Sequence, residues 1–274
     1  MKTLIATIMR LSGLGDIYCA ASIADSLKKE KNYSHIRLLC KPNYEFLAEQ
    51  LPIFDDIHLC TDEKDIYIKQ KHGREFSKII GDFYHPTYKY QNVHIMEQMG
   101  ITTDIEPNLN YRGFDFSDTF GLENRIVLNP TTGKYFSGVK KYKYWFDVVK
   151  MLEDKLQTKI YLVGEEYKEY SFIEQCKLVT HARLFIGAVS LFSHIAGHYN
   201  VPSVIINAGL EDNELAIYDN QMVINSKISC RPCYRRDCNQ ANKYKCQDMI
   251  NPEQIVICCQ DKLRGRNEKV VVCI

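Results

Sequence analysis

The sequence lacks an excess of charge of one sign, a long apolar run and a leader-like start. It has 35 Lys and Arg against 34 Asp and Glu in 274 residues, so its net charge is +1. This balance offers no electrostatic basis for binding nucleic acid or an anionic membrane. No apolar run is long enough to cross a bilayer, and the first residues do not resemble a signal peptide. These absences predict a soluble, cytoplasmic protein without a transmembrane segment and without nucleic acid as a partner.

Two glycine-containing turns each lack a glycine that a known nucleotide motif requires. The first turn, residues 12–15, follows a predicted strand at 4–9, but Tyr18 stands where a dinucleotide fingerprint has its third glycine. The second turn, at 130–134, contains Thr-Gly-Lys, but Leu128 stands where a P-loop has its first glycine. We therefore expect neither a nicotinamide dinucleotide site nor a Walker motif.

The first turn nevertheless presents a carboxylate at a favourable place. Asp16 follows the glycines directly and is predicted to be the N-cap of a helix over residues 17–29. In an open α/β sheet, ligands bind at the carboxyl ends of the strands, which is where this turn lies. The residue pattern alone leaves two interpretations open, a helix cap and a functional group.

Strand-like and helix-like segments alternate in two series, which predicts an α/β fold with parallel sheets. The first series runs to residue 100 and the second starts at 125, while residues 105–124 lose the alternation and contain Pro107, Gly113 and Gly121. The predicted elements include helices at 92–99, 145–156 and 167–178 and a strand at 203–206. We predict an N-terminal domain over 1–112, a linker over 113–124 and a C-terminal domain over 125–274. Two such halves would form a cleft between the carboxyl ends of their strands.

The second half contains several groups suited to a phosphorylated ligand. Hydroxyls and backbone N–H groups just past a strand can meet phosphate oxygens, and a helix N-terminus favours an anion. For the lysines the alternative is a solvated basic loop, and for the histidine it is a packed, satisfied side chain. The candidates are Thr131, Thr132, Lys134, Lys140, Lys141, Ser190 and His194.

Eleven cysteines in a cytosolic chain indicate reduced thiols and allow a metal site. Cys230, Cys233, Cys238 and Cys246 are separated by two, four and seven residues, and the Cys-Arg-Pro-Cys knuckle lets two thiolates reach one ion. We predict a structural zinc or iron ion held by these four. The alternative is four reduced cysteines, or one labile disulfide, in a surface loop.

Four blocks of the sequence, in order, resemble glycosyltransferase family 9, the ADP-heptose-dependent heptosyltransferase-like enzymes. Residues 10–29 resemble the opening R-x-S-x-x-G-D block and its helix, and residues 127–134 the strand and Thr-rich loop that begins the nucleotide-binding domain. The other two blocks are ARLFIGAVSLFSHIAGHYNVPSVIINAG and CRPCYRRDCNQANKYKCQDMINPEQI.

This resemblance implies a GT-B fold, two Rossmann-like domains facing across a cleft. It also implies an inverting transfer of a sugar, heptose, from an ADP-sugar to a glycan or protein hydroxyl, with no metal at the transfer centre. Asp16 would be the catalytic base. The acidic residue on the ribose would be Glu166 or Glu169, and the register does not decide between them. The implied donor-binding set is Ser12, Gly15, Thr131, Thr132, Lys140, Glu166, Glu169, Ser190 and His194.

The sequence departs from the family at Val189-Ser190-Leu191, where the family has Asp-Ser/Thr-Gly. In the family the aspartate contacts the sugar and the glycine lets the backbone approach phosphate. An alternative function is therefore a non-catalytic nucleotide-sugar-binding protein on the same scaffold. A third is a metal-dependent interaction module built on the cysteine segment.

Overall fold

The computed structural model divides into two compact units, Met1–Asp115 and Phe116–Ile274. It describes residues 5–10, 13–61, 79–80, 106–108, 110–114, 116, 122–131, 140–211, 213–235, 238–265 and 270–273. Within these ranges, no helix combines the length and the apolar character needed to cross a membrane.

The N-terminal unit is a parallel sheet with the strand order β3-β2-β1-β4. Strand β1 covers the described part of the strand predicted at 4–9, and Leu4 lies outside the described residues. Helix α1 begins three residues earlier than predicted, because it starts directly after Gly13. The predicted helix at 92–99 lies outside the described residues. The elements are β1 (Ile5–Met9), α1 (Leu14–Glu30), β2 (His35–Cys40), a 3₁₀ turn (Pro42–Tyr44), α2 (Glu45–Ala48), β3 (Asp56–Leu59) and β4 (Ile79–Ile80).

Part of the predicted linker packs against α1 in the N-terminal unit. The ring of Phe114 stacks on Tyr18, with 5.6 Å between the ring centroids. The amide of Asn108 donates to the Asp25 carboxylate at 2.7 Å. These contacts cover α1, which is buried along its whole middle section. The described residues 106–108 and 110–114 therefore pack within this unit, and of these only 113 and 114 fall in the predicted linker.

The C-terminal unit is a six-stranded parallel sheet with the order β10-β9-β8-β7-β5-β6. Helix α3 and strand β8 have the predicted bounds, whereas α4 begins five residues later than the predicted helix at 167–178. The elements are β5 (Ile126–Asn129), α3 (Trp145–Leu156), β6 (Ile160–Leu162), α4 (Phe172–Thr180), β7 (Leu184–Ala188), α5 (Leu191–His198), β8 (Ser203–Ile206), α6 (Asn213–Ala216), β9 (Gln221–Asn225), α7 (Lys245–Asp248), α8 (Pro252–Leu263) and β10 (Val270–Cys273).

The core of this unit lies between the sheet and the helices α3 and α8. Strands β5, β7, β8 and β9 are buried along their whole length, as is typical of a parallel sheet that is covered on both faces. Helix α8 contributes Ile255, Val256 and Cys259 to this core and packs against α3. Asn251 caps α8, because its side chain accepts the N–H of Glu253 at 2.9 Å.

The order of the strands creates one switch point in each sheet. In the C-terminal unit the chain runs from β5 outward to β6 and then returns to β7 on the other side of β5. In the N-terminal unit the corresponding gap lies between β1 and β4. At a switch point the loops on neighbouring strands diverge, and open α/β sheets bind their ligands there, at the carboxyl ends of the strands.

Candidate functional site

A buried asparagine ties together the loops at the switch point of the C-terminal unit. The Asn129 side chain, at the end of β5, donates from Nδ2 to Ser190 Oγ at 3.1 Å. Its Oδ1 accepts the backbone N–H of Thr131 at 3.0 Å and the Thr131 hydroxyl at 2.8 Å. Asn129 is only 2% exposed, so these contacts are shielded from water. The structure therefore brings the predicted residues Thr131 and Ser190 together.

The loop after β6 approaches the same place through a glycine. Gly164 has φ +129°, and a Cβ atom there would lie 2.1 Å from Thr131 Oγ1 and 2.9 Å from Asn129 Oδ1. Its backbone N–H donates to Gln175 Oε1 at 2.7 Å, which fixes the turn against α4. Both the positive φ and the close approach exclude any residue with a side chain.

Helix α5 points its N-terminus at this cluster. The backbone N–H of Ser190 donates to Ser193 Oγ at 2.9 Å, so the helix starts at the predicted residue. A helix N-terminus carries a partial positive charge and unpaired N–H groups, which suit an anion. Val189 and Leu191 on either side of Ser190 are apolar and buried.

Lys140 lies at the ends of β7 and β8 in the same unit. Its Nζ is 2.8 Å from Glu211 Oε1, and both side chains are mostly buried, at 15% and 14% exposure. The lysine of this pair lines a pocket together with Tyr142, Val189, Ile206, Asn207, Ala208, Leu210 and Gln247. Lys141, by contrast, is exposed.

His194 is placed in the interior of the unit. It is 4% exposed, and its Nδ1 lies 2.9 Å from the Tyr218 hydroxyl. Burial, together with the charges of His198 and Lys140, lowers the pKa of His194 to about 3. The ring is therefore neutral at pH 7 and packed, and its contacts are with other side chains of the unit.

The two acidic candidates after Gly164 have different surroundings. Glu169 lies 3.7 Å from Lys159 Nζ, and Lys159 precedes β6, at the amino end of the strand. Glu166 is two residues past Gly164 and is exposed to solvent. Position at the carboxyl end of β6 therefore favours Glu166 as a ligand group.

In the N-terminal unit Asp16 is the third residue of α1, and the N-cap is Gly13. The prediction that Asp16 caps the helix is thus wrong, because the glycine adopts φ +75° and lets the helix begin earlier. The Asp16 carboxylate pairs with Arg10, which is only 2% exposed, whereas Asp16 retains 22% exposure. The Gly13 N–H donates to the Tyr44 hydroxyl at 3.2 Å. Gly15 lies in the first turn of the helix.

The four predicted metal ligands surround one small cavity in the C-terminal unit. Cys230, Cys233, Cys238 and Cys246 all line it, and none of these four described residues forms a disulfide. Burial, reinforced by the other three sulfurs, raises the pKa of the Cys246 thiol to about 11. Among the described residues, however, no three His, Cys, Asp or Glu side chains are close enough together to hold an ion.

Three of the predicted residues, Ser12, Thr132 and Lys134, lie outside the described residues, and some residues of the site were not predicted. Sequence patterns did not single out Asn129 or Glu211, since each owes its importance to contacts with loops distant in sequence. Arg10 was not predicted as a site residue either, although it is the first residue of the block at 10–29 that resembles family 9.

Among known proteins, this chain matches solved structures but no sequence family. No protein-family profile and no curated protein sequence matches the chain. Similar solved structures include the dodecameric iron-containing heptosyltransferase TibC of enterotoxigenic Escherichia coli in complex with ADP-D-β-D-heptose, at 15% identity, TM-score 0.67, and coverage of 96% of this chain and 78% of that one. The chain has the GT-B fold of glycosyltransferase family 9.

Two further structures support this GT-B assignment. The family 9 glycosyltransferase of Veillonella parvula matches at 13% identity with a TM-score of 0.65, over 96% of this chain and 98% of that one. E. coli ADP-heptose lipopolysaccharide heptosyltransferase II matches at 11% identity with a TM-score of 0.65, over 95% and 99%. The resemblance carried by the four sequence blocks is thus confirmed at the level of the fold.

Proposed function

We propose that this protein is an inverting glycosyltransferase that moves a sugar, heptose, from an ADP-sugar to a hydroxyl of a glycan or protein. The observation that carries the proposal is the buried Asn129, which ties the Thr131 loop to the start of α5 at the β5–β7 switch point. This is where open α/β sheets bind nucleotides. A solved protein with the same fold was captured with ADP-heptose.

The donor diphosphate would bind at the N-terminus of α5. Thr131 and Ser190 supply hydroxyls there, and the neighbouring Thr132 belongs to the proposed set. Lys140 would add a charge-assisted contact to the diphosphate beside its ion pair with Glu211, whose Oε1 lies 2.8 Å from the lysine Nζ. These groups would also stabilise the charge that develops on ADP as it leaves.

Further groups would complete the donor site. Glu166 would accept hydrogen bonds from the ribose hydroxyls, because it lies past β6 at the carboxyl end of the sheet. Ser12 and Gly15 belong to the glycine turn of the other unit and stay in the proposed set. The proposal includes a cytoplasmic setting, where the cysteines of this chain would be kept reduced.

Asp16 would act as the general base. The acceptor oxygen attacks the anomeric carbon, the bond from that carbon to the β-phosphate oxygen breaks, and ADP leaves. The acceptor proton passes to the Asp16 carboxylate, and one displacement inverts the anomeric configuration. Arg10 would hold the carboxylate in one orientation through their buried ion pair.

The test is ADP release and sugar transfer measured with ADP-heptose and glycan or peptide acceptors. Asp16→Asn should lose roughly 10²–10⁴-fold in turnover while it keeps its affinity for the donor. Asp154→Asn, an exposed change on α3, is the control and should keep wild-type turnover. Asp16→Asn with wild-type turnover would refute the base. A wild-type protein that binds ADP-heptose but transfers nothing would instead favour a non-catalytic binding protein.

We also propose that the four cysteines hold a structural zinc or iron ion. Four sulfur donors around one cavity are the chemistry that such ions prefer, and a solved protein with the same fold is described as iron-containing. Burial, reinforced by the other three sulfurs, raises the pKa of Cys246, and a bound cation would stabilise its thiolate against both effects. Elemental analysis of protein purified without chelator should find about one ion per chain. Background levels of both metals, with four freely titrating thiols, would refute this site.

A further inference from the structure

The pocket beside α5 lacks the carboxylate expected at its Val189 position. Val189 is apolar and lines the pocket together with Lys140 and Leu210. A donor sugar carries hydroxyl groups, and a buried hydroxyl without an acceptor lowers affinity. A glycosyltransferase with this pocket therefore needs an acceptor from another element.

Glu211 provides such an acceptor on the loop after β8. Its carboxylate contacts Lys140 Nζ at 2.8 Å, and its side chain is 14% exposed. Both Lys140 and Leu210, the residue before Glu211, line the pocket. A carboxylate accepts about four hydrogen bonds, so the ion pair with Lys140 is compatible with further hydrogen bonds from a ligand. The side chain thus stands next to the lysine proposed to bind the diphosphate.

The backbone of this loop is held by an extensive set of hydrogen bonds. The cysteine segment donates to three successive carbonyls of residues 209–211, and Arg231 reaches two asparagine side chains as well. The pairs are Cys233 N–Gly209 O at 3.0 Å, Tyr234 N–Leu210 O at 2.9 Å, Asn207 Nδ2–Glu211 O at 2.9 Å, Arg231 Nη2–Glu211 O at 3.3 Å, Arg231 Nη2–Asn213 Oδ1 at 2.8 Å and Arg231 Nη2–Asn225 Oδ1 at 2.9 Å. Glu211 is therefore positioned by its backbone as well as by Lys140.

We infer that Glu211 recognises the sugar of the donor, supplying the carboxylate that Val189 does not. The inference rests on the proposed function. The sugar is bonded to the β-phosphate, so a carboxylate beside the lysine that binds the diphosphate lies near the sugar hydroxyls. Glu211 and Lys140 then act together, the lysine on phosphate and the glutamate on hydroxyls.

The charge of the ligand distinguishes two roles for Glu211, binding of the donor sugar and positioning of Lys140. Free ADP ends in a phosphate with an additional negative charge, which the Glu211 carboxylate repels. An ADP-sugar has a neutral, hydroxyl-bearing group in that place. Glu211 therefore favours the ADP-sugar over the product ADP, and its removal should shift the two affinities in opposite directions.

The experiment is calorimetric titration of the full chain with ADP and, separately, with ADP-heptose. Glu211→Gln should bind ADP-heptose on the order of tenfold more weakly and bind ADP as tightly as wild type or more tightly. Glu211→Asp keeps the charge but withdraws the carboxylate, so it should weaken ADP-heptose binding and leave ADP binding unchanged. Asp154→Asn is the matched control, and thermal melts establish that each variant is folded.

The outcomes separate this inference from the proposed function. If Glu211→Gln lost affinity for both ligands equally, Glu211 would only hold Lys140 in place. If neither affinity changed, Glu211 would make no contact with the sugar. Either result overturns the inference while donor binding by the wild type upholds the proposed function. A wild-type protein that binds neither ligand overturns both.

Discussion

Gly164→Ala perturbs the point where three loops meet at the C-terminal switch. At φ +129° an alanine is strained, at a cost of about 1–3 kcal/mol in the free energy of unfolding. Its Cβ would also lie 2.1 Å from Thr131 Oγ1, so the threonine must rotate away from Asn129. Loss of that hydrogen bond costs about 0.5–1.5 kcal/mol more. We expect a total destabilisation of about 2–4 kcal/mol.

Urea unfolding followed by circular dichroism measures this change, with Gly265→Ala as the control. Gly265 also has a positive φ, +97°, but a Cβ there would meet nothing within 4 Å. The control therefore reports backbone strain alone, and the difference between the two variants reports the contact with Thr131. Gly164→Ala should also bind ADP more weakly, whereas Gly265→Ala should bind it normally. Equal destabilisation with unchanged ADP affinity would refute this description of the site.

Three further substitutions test other parts of the structure. Lys140→Ala should weaken the binding of ADP and of ADP-heptose together, by about 1.5–3 kcal/mol. If Lys141→Ala lowered the ADP affinity and Lys140→Ala did not, the exposed Lys141 would be the lysine that contacts phosphate. The pKa of His194 is lowered to about 3 from 6.5, so below pH 6.5 only the unfolded chain gains its proton. The free energy of unfolding should fall by up to about 1.4 kcal/mol per pH unit from there towards pH 3. Urea titrations at a series of pH values measure this slope, and His194→Gln should lose it. Arg231→Lys replaces the planar guanidinium that bonds the loop of Glu211 with a single ammonium, so calorimetry should find weaker ADP-heptose binding. Wild-type affinity would show that the Arg231 hydrogen bonds are not needed to position Glu211.

Local patterns predicted the fold well where burial is complete. Strands such as β8 and helices such as α3 have apolar residues at the spacing of their element, so their bounds follow from the sequence. The two short strands at the end of the chain, β9 and β10, were not predicted. A run of four or five residues does not distinguish a buried strand from part of a loop or helix.

The candidate site was predicted in part. Thr131 and Ser190 follow strands, and parallel strands bring their carboxyl ends together. The helix start at Asp16 was misplaced because the sequence does not reveal that Gly13 adopts a positive φ. Asn129 and Glu211 owe their roles to partners 61 and 71 residues away, as the Ser190 and Lys140 contacts show, and no local pattern encodes such pairs.

The most direct test of the central claim is calorimetric titration of the wild-type chain with ADP-heptose. We expect saturable binding of one donor per chain, reduced by Lys140→Ala and accompanied by ADP release once an acceptor is added. UDP-N-acetylglucosamine serves as the control ligand and should bind more weakly. Absence of any heat of binding with ADP-heptose, from protein shown to be folded by its thermal melt, would contradict the account.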